Sequence, residues 1–174
     1  MKQLILVLCL TLILCNCTHI HPQKFDVKNN VILRKGEPVA IKTNDFGKLE
    51  SKKPTAYPKH AKFVRYTIEH FEMFQIFKEL MTKELAKSGI EVNDQASKVF
   101  YVNLKRFEIE LPGLFTFLTY AHVYYQIYLS NGYVQDYKVT DQSPVAEGRA
   151  LGGAISRAVE AIFLDHNVQD FLEQ

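Results

Sequence analysis

Cysteine is almost missing from this chain, and where it occurs it is confined to the start: Cys9, Cys15 and Cys17 are the only three. Everything from Thr18 onward therefore has no disulfide and no thiolate metal site available to it. An ordinary hydrophobic core has to hold the fold, and a hydrophobic content of 47% allows that. Charge of one sign is lacking too. The 21 basic and 19 acidic side chains nearly cancel, which argues against nucleic acid as a partner. No apolar run reaches the roughly 20 residues that a bilayer-spanning helix needs. No Gly-x-Ser-x-Gly elbow and no phosphate loop occurs. Gly148, Gly152 and Gly153 do not have dinucleotide-site spacing, and tight packing explains them better. There is no internal repeat. No catalytic residue, cofactor or metal ion is expected on these grounds.

What is present begins at Met1. Lys2 supplies a positive n-region, and Leu4 to Leu14 supplies a short apolar core interrupted by Thr11. An A-x-A cleavage site is missing, and a cysteine stands where the cut should fall. Leu14-Cys15-Asn16-Cys17 resembles the end of a lipoprotein signal, with Leu14 at −3, Asn16 at −1 and Cys17 as the residue that would carry the lipid. Gly, Ala or Ser is usual at −1, so Asn16 is a departure. Cys15 is the alternative acceptor, but it would place the bulkier Leu14 at −1. Thr18 follows, where an Asp would resemble an inner-membrane retention signal. The expected location is the periplasmic face of the outer membrane, with palmitate or a similar acyl chain on Cys17. The expected division is a signal peptide over 1–16, a lipidated tether over 17–30 and one domain over 31–174.

Within that domain, Val31-Ile32-Leu33 and Val39-Ala40-Ile41 read as a first strand region broken by a turn. Residues 44–59, with Pro54, Pro58 and several lysines, read as an exposed loop. Phe63 to Ile68 is a short strand or extended lead-in. Phe74, Phe77, Met81 and Leu85 recur at helical spacing, with Phe71 and Leu80 flanking them, and predict a helix over 71–87 ended by Ser88-Gly89. Val99 to Leu111 is a strand whose apolar parity switches. Phe100, Val102 and Leu104 share one face while Phe107, Ile109 and Leu111 need the other, so a bulge near Lys105-Arg106 is required. Pro112-Gly113 is a turn. Residues 114–130 and 133–139 form a hairpin about Asn131-Gly132, and a two-residue turn would pair Leu129 with Val134 and Ile127 with Asp136. The returning strand, with Asp136 and Lys138, is expected at the sheet edge. A helix over 147–165 carries the stripe Leu151, Ile155, Ala158, Val159 and Ile162, and a short segment over 168–172 ends the chain. The expected fold class is α+β: a two-layer domain with two helices packed on one face of a small antiparallel sheet, following a lipoprotein signal peptide.

From Phe71 to Gln174 the chain resembles the YajG-like family of uncharacterised bacterial lipoproteins. The likeness is carried by Glu84-Leu85-Ala86-Lys87-Ser88-Gly89-Ile90-Glu91-Val92, by Val102-Asn103-Leu104, by the Asn131-Gly132 hairpin and by the terminal run from Asp165 to Gln174. Residues 18–70 match only by position. The resemblance implies a scaffold and no catalytic motif. The architecture also looks similar to the LptE-like and transporter-auxiliary lipoproteins, which is a likeness of fold.

One strand carries the strongest candidate site. Ala121, Val123, Tyr125, Ile127 and Leu129 form a face that suits the helices. The other face is Tyr120, His122, Tyr124, Gln126 and Tyr128. An aromatic face with hydroxyl, amide and imidazole groups suits a protein interface. A solvated face built of good strand formers is the plainer alternative. Glu108 and Glu110 share a strand face and read as solvated carboxylates. His19-x-His21 lacks a third ligand at useful spacing and reads as exposed polar sequence, because a closed zinc site takes four ligands. His60, His70, His122 and His166 stand singly. The expected function is a non-enzymatic envelope lipoprotein that binds a protein partner through the open sheet face. The alternative is a periplasmic ligand-binding or enzymatic domain with a cleft under the 44–59 loop. The anchor gives the first test. Cys17→Ala should abolish labelling by a fatty-acid probe and release the domain from membranes, and unchanged labelling would move the lipid to another residue.

Overall fold

The computed structural model describes residues 17–28, 31–44, 48–50, 55–56, 65–111, 118–144 and 146–174. Residues 1–16, expected to be a signal peptide, the side chains of Cys17 and Thr18, and the expected turn at Pro112-Gly113 lie outside the described residues, as does most of 44–59; residues 48–50 and 55–56, expected within an exposed loop, are short strands. The elements in order are β1 (Cys17–His19), β2 (Val39–Lys42), β3 (Lys48–Glu50), β4 (Thr55–Ala56), β5 (Arg65–Glu69), α1 (His70–Lys87), β6 (Lys98–Leu111), β7 (Thr119–Leu129), β8 (Val134–Ser143), α2 (Glu147–Phe163) and α3 (His166–Glu173). The main sheet runs β2-β6-β7-β8, with β4 also paired to β6, and a smaller sheet runs β1-β5-β3. The class is α+β. The sheet is mixed, because β2 joins β6 in parallel, whereas the sequence suggested a wholly antiparallel one. Val31 to Leu33 is not a strand. Leu33 instead inserts into the core and its N–H bonds to Ser88 Oγ at 3.0 Å.

Helix α1 buries Phe74, Phe77, Leu80, Met81 and Leu85 as its periodicity requires, but Phe71 is 57% exposed. The helix begins one residue earlier, at His70. That imidazole is buried and donates from Nε2 to the Leu104 carbonyl at 3.3 Å. The β6–β7 register shifts between Leu104 and Arg106, so the bulge falls where the parity switch demanded it. Phe100, Val102, Leu104, Phe107 and Ile109 are all buried as a result. The hairpin is one residue off its expected register. Gly132 takes φ +94° and Leu129 N–H bonds to Tyr133 C=O, which lengthens the loop. Tyr128 then faces Val134 and Gln126 faces Asp136. This shift removes the awkward pairing of Ile127 with a carboxylate. Strand β8 is an edge strand, as expected.

Two contacts tie the layers together. The first is a seam along α2. A Cβ on Gly152 would fall 1.7 Å from the Gln23 carbonyl oxygen, and one on Gly148 would fall 2.3 Å from that of His21. Residues 20–28 therefore lie on α2 at backbone distance, with Gln23 N–H bonded to Gly148 C=O at 2.9 Å. Ile20, Pro22 and Val27 are buried, and Ser156 donates to the Asp26 carbonyl at 3.1 Å. Lys24 pairs with Glu79, and Lys83 with Asp26. The stretch expected to be a tether is thus part of the packed domain from Ile20 to Lys28. Irregular sequence hid it, because its partner is a bare helix face about 130 residues away, at the Ser156–Asp26 contact.

The second contact is a clasp at the other end of the helices. Tyr125 donates to the Ala158 carbonyl at 3.0 Å, and its ring stacks on Tyr137 with centroids 5.0 Å apart. Tyr137 and Tyr133 both donate to Asp165 Oδ2, the latter at 2.8 Å, while Oδ1 accepts the Asn167 N–H and caps α3. Burial raises the Tyr125 hydroxyl, and Asp165 adds to it. Burial and then the Asp165 hydrogen bond raise Tyr137 likewise. Burial works to raise the Asp165 carboxyl, but the Tyr137 and Tyr133 hydroxyls and the Asn167 and Val168 amides outweigh it and hold it below the ordinary range.

Two outcomes follow in denaturant melts. Ala is normally the better helix former by about 0.8–1.0 kcal/mol, yet Gly152→Ala should lose about 1–3 kcal/mol, because the new methyl meets backbone that cannot rotate aside. A stabilised variant would mean that residues 20–28 do not occupy α2 in solution. Asp165→Ala should lose about 2–4 kcal/mol near neutral pH, from the cap and the charge-assisted tyrosine bonds together. A carboxyl held low in the folded state stabilises fully above the unfolded value near 4, and that stabilisation fades as pH falls through the depressed folded value. The gap between wild type and variant should therefore narrow below about pH 4.

Candidate functional site

The three described helices pack on one face of the main sheet. Phe77 reaches the Tyr125 ring at 6.4 Å, Ala158 accepts from the Tyr125 hydroxyl, and Phe171 lies 5.3 Å from Lys98 Nζ. Strand alternation then sends the intervening residues of β6, β7 and β8 to the opposite side. Tyr120, His122, Tyr124 and Gln126 are half-buried there, and Tyr128 is 41% exposed. These five residues therefore share the side of the sheet away from the described helices.

Register adds rows that β7 alone could not reveal. Tyr101 lies opposite Tyr128, Asn103 opposite Gln126 and Arg106 opposite Tyr124. Glu108 lies opposite His122, and Glu110 opposite Tyr120. On the β8 side the partners are Val134, Asp136, Lys138, Thr140 and Gln142. The bulge matters here. Without the extra residue at Lys105, Arg106 and the two glutamates would have turned toward the helices.

The face is cross-linked by its own side chains. The Arg106 guanidinium sits 3.9 Å from the centre of the Tyr124 ring, and Lys138 Nζ sits 5.3 Å from it. Tyr124 donates its hydroxyl to Glu108 at 3.0 Å, and Arg106 lies 3.7 Å from the same carboxylate group. His122 bridges two strands, with Nδ1 2.7 Å from Thr140 Oγ1 and Nε2 3.3 Å from Glu110. A carboxylate only accepts, so Nε2 carries the proton and Nδ1 accepts from the threonine hydroxyl when the ring is neutral. Gln126 donates to Asp136 at 2.9 Å, and the Tyr101 and Tyr128 rings lie 5.9 Å apart. Glu108 and Glu110 are thus each engaged with a different partner and do not form an acid pair. The arrangement holds aromatic rings at fixed orientation and suits recognition more than proton transfer.

The remaining sequence candidates scatter. His60 lies outside the described residues, His70 is buried at the bulge, and His166 is exposed on α3 beside Gln169 at 3.3 Å. His19 and His21 lie beside Glu72. Lys98, on the helix side of β6, has its ammonium lowered by burial, against a smaller raising effect from Glu37. The alternative cleft under residues 44–59 lies largely outside the described residues. A shallow cleft of about 360 Å³ lies elsewhere, between Phe25 to Lys28 and the Ser156–Glu160 turn of α2.

No family model matches this chain. No curated protein matches it either. Among solved structures, the crystal structure of protein XCC0632 from Xanthomonas campestris, of the family DUF330, is similar at a TM-score of 0.53 and 13% identity. The alignment covers 89% of this chain and 94% of that one. At that identity the likeness is one of fold: this chain shares its α+β architecture, over nearly its whole length, with a protein of the DUF330 family.

Proposed function

We propose that the chain is a non-enzymatic envelope lipoprotein of YajG-like character, held to the membrane through Cys17, that serves as an accessory or assembly factor. Its partner is a protein, and it docks on the open face of β6, β7 and β8. One observation carries this reading: three adjacent strands present rows of tyrosine, amide and paired ions on the side of the sheet away from the helices. Such a surface buries rigid aromatic area at low entropy cost and offers polar groups already held in place. The Leu14-Cys15-Asn16-Cys17 sequence supports the anchor.

A photo-reactive residue at position 128 should form an adduct in native membranes, and one at Ala86 on the exposed side of α1 should not. Replacing Tyr120 and Tyr124 by Ser beside the photo-reactive residue should abolish that adduct, and the Tyr120→Ser/Tyr124→Ser/Tyr128→Ser triple variant should lose the partner from a pull-down. The triple variant should cost far less stability than Tyr125→Ala, because truncating a buried aromatic costs about 3–5 kcal/mol. Tyrosines at a desolvated centre are frequent hot spots. Equal cross-linking from positions 128 and 86 would end the interface reading. A collapse of the triple variant's melt would place these tyrosines in the core.

A further inference from the structure

The packing of residues 20–28 on α2 brings two imidazoles to a carboxylate that is far away in sequence. His19 ends β1, and His21 follows two residues later, so extended backbone sends both rings to the same side. Glu72 lies in the first turn of α1 and turns toward them. His19 Nε2 is 3.5 Å from Glu72 Oε2, and His21 Nδ1 is 3.0 Å from Oε1. The two rings meet edge to face with centroids 4.6 Å apart. Nitrogens and carboxylate oxygen all fall within 4.8 Å of one another.

We infer that His19, His21 and Glu72 form a binding site for a divalent transition-metal cation, with Zn²⁺ the fitting ion. Donor type comes first. Two imidazoles and one carboxylate are a borderline set that suits zinc and its neighbours and does not suit magnesium or calcium. Two histidines with one glutamate is also a known three-ligand zinc set that leaves a fourth position open. Spacing comes second. Metal–ligand bonds of about 2.0–2.2 Å place tetrahedral ligands roughly 3.3–3.5 Å apart. The two imidazole–carboxylate distances, 3.0 Å to one Glu72 oxygen and 3.5 Å to the other, are already near that length. The remaining separations, all within 4.8 Å, close by small rotations of rings that are not locked in the core, since the His21 side chain is 74% exposed and that of His19 33%. Each imidazole faces a different carboxylate oxygen, so Glu72 can meet the ion with one oxygen or with both.

The third ligand was invisible in sequence because 51 residues separate it from His21. The ion does not need the sheet face, which lies on the other side of the main sheet. Its structural effect is to pin β1 and the following residues to the start of α1, so metal binding and the docking of this segment are linked.

The test uses the full chain, purified in mild detergent, stripped with chelator and titrated with Zn²⁺ alone by calorimetry and by thermal melting. The expected result is one Zn²⁺ per chain and a raised melting midpoint. His19→Ala and Glu72→Gln should each weaken binding tenfold or more, while His166→Ala should leave it unchanged. Glu72→Gln keeps the side-chain shape, so a far-ultraviolet circular dichroism spectrum equal to wild type shows that its lost binding is not unfolding. Co²⁺ in place of Zn²⁺ should give the visible absorption of a low-coordinate site, lost in Glu72→Gln. Absence of Zn²⁺ uptake, or uptake that survives in a His19→Ala/His21→Ala double variant, overturns the assignment.

Discussion

The closeness of α2 to the chain that crosses it is the constraint on which the helical layer depends. Gly148 and Gly152 are four residues apart and so lie on one side of the helix. Their missing side chains let Gln23 hydrogen-bond a helix carbonyl directly. Any larger residue at either place would lift residues 20–28 from the helix, and with them the buried Ile20, Pro22 and Val27. The same stretch reaches α1 through Lys24–Glu79 and Asp26–Lys83. It therefore joins two helices that otherwise meet over a limited contact. The exposed ion pairs add little by themselves; the buried apolar residues and the backbone bond carry the attachment.

The two sides of the main sheet have different tasks. The side toward the helices is mostly apolar, and the Tyr125 hydroxyl finds its partner there in the Ala158 carbonyl. On the outer side His122, Tyr124 and Gln126 each already have a partner on an adjacent strand. Tyr124 is the centre of this arrangement, with two cations near its ring and a carboxylate on its hydroxyl. Pre-formed pairs of this kind keep side chains ordered before any partner arrives, which reduces the entropy lost on association. They also leave β8 less open to unwanted strand pairing, since Asp136 and Lys138 sit along that edge.

Much of this was legible wherever the pattern is periodic. The α1 stripe from Phe74 to Leu85, the alternation in β7 and the parity switch in β6 each follow from local spacing. Departures came where partners are distant or where one residue shifts a count. Phe71 fits the helical period but lies at the exposed start of α1. The Asn131-Gly132 pair reads as a two-residue turn, but Gly132 alone takes a positive φ where that turn needs one at both residues, and the register of β8 moves by one. Strand β2 is four residues long, and nothing in Val-Ala-Ile-Lys distinguishes a parallel from an antiparallel neighbour. The chain after Phe163 breaks because Asp165 caps a new helix, a signal present in Asp-His-Asn-Val but hidden within a continuing apolar period. On the sheet face, Tyr120 to Tyr128 could be read from β7, whereas Arg106, Glu108 and Lys138 required the register of its neighbours.

The early docking of the chain has a consequence for reach. Strand β1 begins at Cys17, and Ile20 is already in the core. Three residues of extended chain span about 10 Å, at roughly 3.3–3.6 Å each. A lipid on Cys17 would therefore have no leash. The domain would ride flush against the headgroups, with one side turned permanently to the bilayer and its rotation limited to spinning about the anchor. A partner would have to come to that surface laterally or be embedded in the same leaflet, because the domain could not swing out to meet it.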